Sequence, residues 1–106
     1  MWWNEGPRRV FAYTEPSDMR KSFRGLLVLV QRLFIDHDPY SGSLFIFVNR
    51  RGNYLKILAW DRTGFALYAK KLERGRFVFP GEDDAQELSM NALRFILDGI
   101  PLGERR

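Results

Sequence analysis

The hydrophobic and polar positions divide the chain into a short apolar stretch, an amphipathic segment, a long β-like middle and a second amphipathic segment. Arg9 to Tyr13 predicts a short strand. Glu15-Pro16-Ser17-Asp18 breaks it and supplies a helix start, with Ser17 as the expected N-cap. Met19, Phe23, Leu26, Val30 and Leu33 then recur at helical spacing, which stacks them on one face for burial. Asp36 to Gly42 has no periodicity and holds Pro39 and Gly42, so it reads as a loop.

From Leu44 to Phe79 β-branched and aromatic residues dominate in four runs, Leu44–Val48, Tyr54–Trp60, Phe65–Leu72 and Arg76–Phe79, each boundary carrying a glycine. The connections are short enough for hairpins. The simplest topology is therefore a four-stranded antiparallel meander, preceded by the N-terminal strand and helix and followed by a C-terminal helix, an α+β fold. Successive turns of a meander alternate between sheet ends, so Arg50, Arg51 and Arg74 are expected at one end and Arg62 at the other. Ser89 predicts the N-cap of the second helix, with Met90, Leu93 and Leu97 on its buried side and Gly99 then Pro101 ending it. No repeat or linker interrupts residues 1–106, which read as a single domain with a loose N-terminus at 1–7 and a loose tail at 103–106.

The composition, 45% hydrophobic and 15% aromatic over 106 residues, is that of a globular chain and excludes a collagen-like or wholly disordered one. Absence of cysteine rules out disulfides, thiolate metal sites and cysteine nucleophiles, and suits a reducing, cytoplasmic setting. The longest apolar run, Leu26 to Val30, falls far short of the roughly 18 residues that span a bilayer, and Met1-Trp2-Trp3 does not open a secretory signal. Neither membrane insertion nor export is expected.

Charge changes the picture more. The whole chain carries +4, yet Arg8 to Arg76 holds 14 basic and 6 acidic residues, whereas Phe77 onward holds 3 and 6, with an acidic run at Glu82-Asp83-Asp84. Thirteen of the 17 basic residues are arginine, the side chain that grips a phosphate with two parallel hydrogen bonds. A solvated surface accounts for the charge equally well. Arg20, Lys21 and Arg24 crowd the start of the first predicted helix, where the macrodipole is already positive. Either Asp18 and Glu15 offset them or an external phosphate does. Tyr54, Trp60, Tyr68 and Phe77 are the aromatics available for base stacking, although strand aromatics commonly serve the core.

Catalytic chemistry finds little support. The one histidine, His37, lies between Asp36 and Asp38, but three consecutive residues of extended chain do not face one ion, and no second ligand set accompanies them. Asp18, Asp61 and Glu73 do not converge in the expected topology, so a metal-dependent nuclease centre is not expected. The glycines stand singly, without a phosphate-cradling loop, and neither a cofactor nor a metal is implied.

The block Pro16-Ser17-Asp18-Met19-Arg20-Lys21-Ser22-Phe23 resembles the small TnpB-type accessory protein of the bacterial insertion-sequence-sixty-six family. The resemblance continues, in that family's order and spacing, through Asp38-Pro39-Tyr40-Ser41-Gly42, Leu44-Phe45-Ile46-Phe47, Arg50-Arg51-Gly52, Leu55-Lys56, Trp60-Asp61 and Leu72 to Phe77. It departs at Ser22, where glycine is common, at Ala59, where a second tryptophan is common, and it fades after Pro80. The resemblance implies a non-enzymatic protein encoded beside a transposase and needed for the element's movement. The charge asymmetry and turn placement add a basic face expected to contact DNA at the element ends, or the transposase–DNA complex, with DNA and the transposase as partners. The expected nucleic-acid contacts are Arg20, Lys21, Arg24, Arg50, Arg51, Lys56, Arg74 and Arg76. The alternative is a protein adaptor that recruits or activates the transposase without binding naked DNA.

Overall fold

The computed structural model of the chain describes residues 8–99. The loose ends expected at 1–7 and 103–106, and Pro101 after the second helix, lie outside the described residues. Seven elements follow one another: β1 (Val10–Tyr13), α1 (Phe23–Leu33), β2 (Leu44–Val48), β3 (Tyr54–Trp60), β4 (Phe65–Lys71), β5 (Ala85–Leu88) and α2 (Met90–Leu97). No helix among the described residues is long and apolar enough to cross a membrane.

The strands form one sheet in the order β4-β3-β2-β1-β5. The hairpins β2–β3 and β3–β4 are antiparallel, as the glycine-bounded runs predict. The α+β class therefore holds, but the four-stranded antiparallel meander does not. Strand β1 joins the sheet parallel to β2, with Val10 opposite Leu44 and Tyr13 opposite Phe47. A parallel neighbour requires a crossover, and α1 is that crossover. The expected strand at Arg76–Phe79 does not form either. Its place as fifth strand is taken by β5, antiparallel to β1 on the far edge, with Leu88 opposite Val10 and Ala85 opposite Tyr13.

The reason lies in how the chain travels from one sheet edge to the other. Leaving β4, Leu72 N–H donates to Asn53 O at 2.7 Å and Phe77 N–H to Gly52 O at 2.7 Å, and at the other edge Thr14 N–H meets Asp84 O at 2.7 Å. Residues 72–84 thus cross one end of the sheet as a strap, and Phe77 is buried with the core on the α2 side instead of pairing as a strand.

Helices cover both faces. Leu26, Val30 and Phe34 pack on Phe11, Phe45, Phe47 and Leu58, while Leu93, Ile96 and Leu97 pack on Val10, Leu44, Ile46, Leu55 and Ile57 across the sheet. All five residues of β2 are consequently buried. Helix α2 starts as predicted, with the Ser89 hydroxyl accepting from Ala92 N–H at 3.0 Å. Gly99 follows the C-cap in the left-handed region at φ 71°, and Lys70 Nζ donates to Leu97 O at 2.7 Å, so a cation closes the negative end of this helix.

Helix α1 starts later than expected. Its N-cap is Ser22, and Ser17 instead donates its N–H to Val48 O at 2.8 Å, tying the incoming loop to the end of β2. Asp18 has organised a turn of its own, its carboxylate accepting from Arg20 N–H at 2.9 Å and its carbonyl from Lys21 N–H at 3.1 Å. With the helix beginning at Phe23, that ring is left 47% exposed and Phe34 takes the buried position beyond Val30.

Candidate nucleic-acid interface

The C-terminal ends of β1 and β2 define one end of the sheet, and most of the expected contact residues gather there. The β2–β3 turn is held by Asn49, whose side-chain oxygen accepts from Asn53 N–H at 3.0 Å and Tyr54 N–H at 3.1 Å while its amide donates to Asn53 Oδ1 at 2.9 Å. This internal bonding leaves Arg50 and Arg51 exposed at the tip. Gly52 completes the turn at φ 75°, and a Cβ there would stand 3.3 Å from Arg76 Nε, so the strap lies directly on the hairpin. Arg74 and Arg76, both exposed, therefore join Arg50 and Arg51. Arg62 sits in the β3–β4 turn at the opposite end, as the alternation of turns requires.

The loop before α1 adds three cations of unequal availability. Arg24 is exposed in the first helical turn, which contains no acidic residue, and Lys21 is half-buried. Arg20 grips Asp18 through Nε and Nη2 at 2.8 to 3.1 Å. These bonds to the guanidinium hold the Asp18 carboxyl down to about 2. An internal acid thus offsets Arg20, one of the two readings its position allowed. Lys56 differs from all the others: it is only 8% exposed, and its ammonium donates to Lys21 O at 2.7 Å beneath the loop. It braces the surface from inside and does not belong to it.

The same end carries the acidic run, because β5 enters the sheet there. Glu82, Asp83 and Asp84 are exposed beside Thr14, on the far side of β1 from the arginines. The two charges that composition separates along the chain are therefore laid side by side across one sheet end, basic over the β2–β3 turn and acidic over the β5 edge. Salt bridges among the described residues are Arg9–Glu87 and Arg20–Asp18 only, so Arg24, Arg50, Arg51, Arg74 and Arg76 stand without a carboxylate partner.

The four aromatics separate by role. Phe77 is core, Tyr68 packs against the α2-side core, and Tyr54 is half-buried with Lys71 Nζ 6.0 Å from its ring centre. Trp60 is half-buried at the opposite sheet end, in contact with Tyr40 and Phe65. His37 packs against Phe11 with ring centres 4.1 Å apart and planes tilted by 35°, and Asp38 accepts from Tyr40 N–H at 2.8 Å to close its loop. Among the described residues no group of three or more histidine, cysteine or carboxylate side chains is placed to hold a metal ion. Asp18 and Glu73 lie at the basic end and Asp61 at the other.

Fold and surface define a small α+β protein whose loops build a charged face at one end of a mixed sheet. The chain belongs to the family of IS66 Orf2-like proteins, whose model matches residues 8–106. It is 40% identical over 93 residues to the uncharacterized protein y4hO of Sinorhizobium fredii, covering 87% of this chain and 80% of that one. With y4jC of the same organism, also an uncharacterized protein, identity is 34% over 93 residues, covering 87% and 79%. No solved structure matches. Membership of the family carries a transposition-associated accessory role.

Proposed function

We propose that the protein acts in transposition as a non-enzymatic factor that contacts DNA at the element ends, using Arg50, Arg51, Arg74 and Arg76 with Arg24 and Lys21 beside them. The observation that carries this reading is the docking of the strap on the β2–β3 turn, which collects four exposed arginines from two separate turns, none of them ion-paired to a carboxylate among the described residues. Such a cluster binds phosphates and releases their counterions, so affinity falls steeply with salt. Fluorescence anisotropy on element-end and random duplexes across a salt series tests it. Replacing Arg50→Ala together with Arg51→Ala is expected to weaken binding and to shallow the log–log salt slope by about one unit per lost phosphate contact. An unchanged slope refutes the assignment.

A second reading draws on the apolar surface of α1 and the loop after it, where Phe23, Val28 and Ile35 are exposed, Ile35 by 79%. Under it the protein is an adaptor for the transposase, and exposed apolar side chains supply the anchor. The same titration separates the two, because an adaptor binds duplex only when transposase is present.

A further inference from the structure

The sheet end opposite the basic turns bears an open cleft of about 570 Å³ with a composition of its own. Its lining includes Arg8, Arg9, Tyr40, Gly42, Trp60 and Arg62, three arginines and two aromatic rings without a carboxylate. Trp60 meets Tyr40 edge-on, centres 5.1 Å apart and planes at 68°, and Phe65 at 5.1 Å and 73°, while Tyr40 and Phe65 stand 5.3 Å apart. Held between two neighbours, the indole has little rotamer freedom left to lose on binding a ligand.

The arginines are not equivalent. Arg9 is engaged by Glu87 through two hydrogen bonds of 2.8 Å. Arg8 lines the cleft with its guanidinium anchored by Nη1, which donates to Gly42 O at 2.9 Å, while its Nε is buried without a partner among the described residues. Arg62 is exposed, makes no ion pair, and sits at φ 58°, with Thr63 N–H reaching back to Asp61 O. A left-handed centre in so tight a turn suits glycine far better than arginine. Here it sets a guanidinium at the mouth of the cleft.

Planar rings beside uncompensated guanidinium groups fit a nucleobase and its phosphate. Bases in a duplex offer only their edges, so stacking on Trp60 demands an unpaired base, and the volume suits one nucleotide and not a double helix. We infer that this cleft binds an unpaired nucleotide of single-stranded DNA, the base stacked against Trp60 and the phosphate held by Arg62 and Arg8. It is a second site, independent of the duplex contacts proposed for the other end.

Anisotropy titrations with a labelled ten-residue oligothymidylate, an abasic oligonucleotide of equal length, a blunt duplex of two fully paired strands and an acidic phosphotyrosine peptide test the inference. Oligothymidylate is expected to bind more tightly than the abasic strand, and Trp60→Leu to weaken it about tenfold while Trp60→Phe, which keeps a ring, retains most of the affinity. Arg62→Gly, whose backbone favours glycine and so preserves the fold, is expected to weaken oligothymidylate severalfold and leave the blunt duplex unaffected. Equal affinity for the abasic strand overturns the proposal, as does insensitivity to both Trp60→Leu and Arg62→Gly or tighter binding of the peptide. Failure of the blunt duplex to bind counts against the basic end alone, since the single-strand comparison is read separately.

Discussion

Lys56 and Asp18 show how far residue type alone can mislead about availability. Both are charged residues near the arginines, yet one is buried and the other spends its charge on a neighbour. Lys56 keeps its aliphatic stem in the sheet and gives its ammonium to Lys21 O, so Lys56→Ala removes packing and leaves a carbonyl unpaired. A loss of about 2 kcal/mol is expected in urea unfolding, with little direct effect on the salt slope of duplex binding. For Asp18 the sign is set by a folded-state value of about 2, below the ordinary 3.8, caused first by the hydrogen bonds from Arg20. Its contribution to stability is therefore complete above the ordinary value and fades as pH falls through about 2. Carboxyl NMR titration is expected to find that midpoint, and Arg20→Ala to return it toward 3.8. High salt should narrow the difference, because the pair is exposed.

Elements were legible where their signals are local. Ser89 is a cap because its hydroxyl reaches Ala92 N–H, and Ser89→Ala is expected to cost about 1 kcal/mol, read as a lower thermal midpoint. The two hairpins followed from glycine-bounded apolar runs. Helix α1 was found but started five residues early, since Ser17 and Ser22 are equally good caps in isolation and only the bond from Ser17 N–H to Val48 O removes the first from contention. Parallel pairing of β1 with β2 had a signal that was available: a strand, a helix and a strand in succession, and an unbroken apolar run at Leu44–Val48 of the kind that strands buried on both faces display. Strand β5 had almost none. Ala85-Gln86-Glu87-Leu88 has low β-propensity and is held by what it meets, its register with β1 and the Arg9–Glu87 ion pair.

At the scale of the molecule, the sheet end is a dipole of surface charge, arginines over the β2–β3 turn and carboxylates over the β5 edge. Under the proposed function, duplex drawn to the first would be repelled by the second. Replacing Glu82→Gln, Asp83→Asn and Asp84→Asn together is expected to raise duplex affinity roughly threefold at low ionic strength, with the gain vanishing above about 0.15 M salt as screening takes over. The bonds that hold that loop, from the Thr14 N–H and hydroxyl and the Gln86 side-chain amide to the carbonyls of Asp83 and Asp84, do not depend on those carboxylates. By itself the sequence determined the α+β class, the two hairpins, the cap of α2, the excess of arginine and the sheet end at which Arg50, Arg51 and Arg74 fall, because propensity, capping and turn alternation act over a few residues. Only the tertiary structure decided that β5 takes the edge beside β1, that residues 72–84 cross the sheet end, that Lys56 is buried, and that Arg8, Trp60 and Arg62 line one cleft. Those outcomes depend on hydrogen bonds and contacts between segments far apart in the chain, whose partners no local pattern specifies.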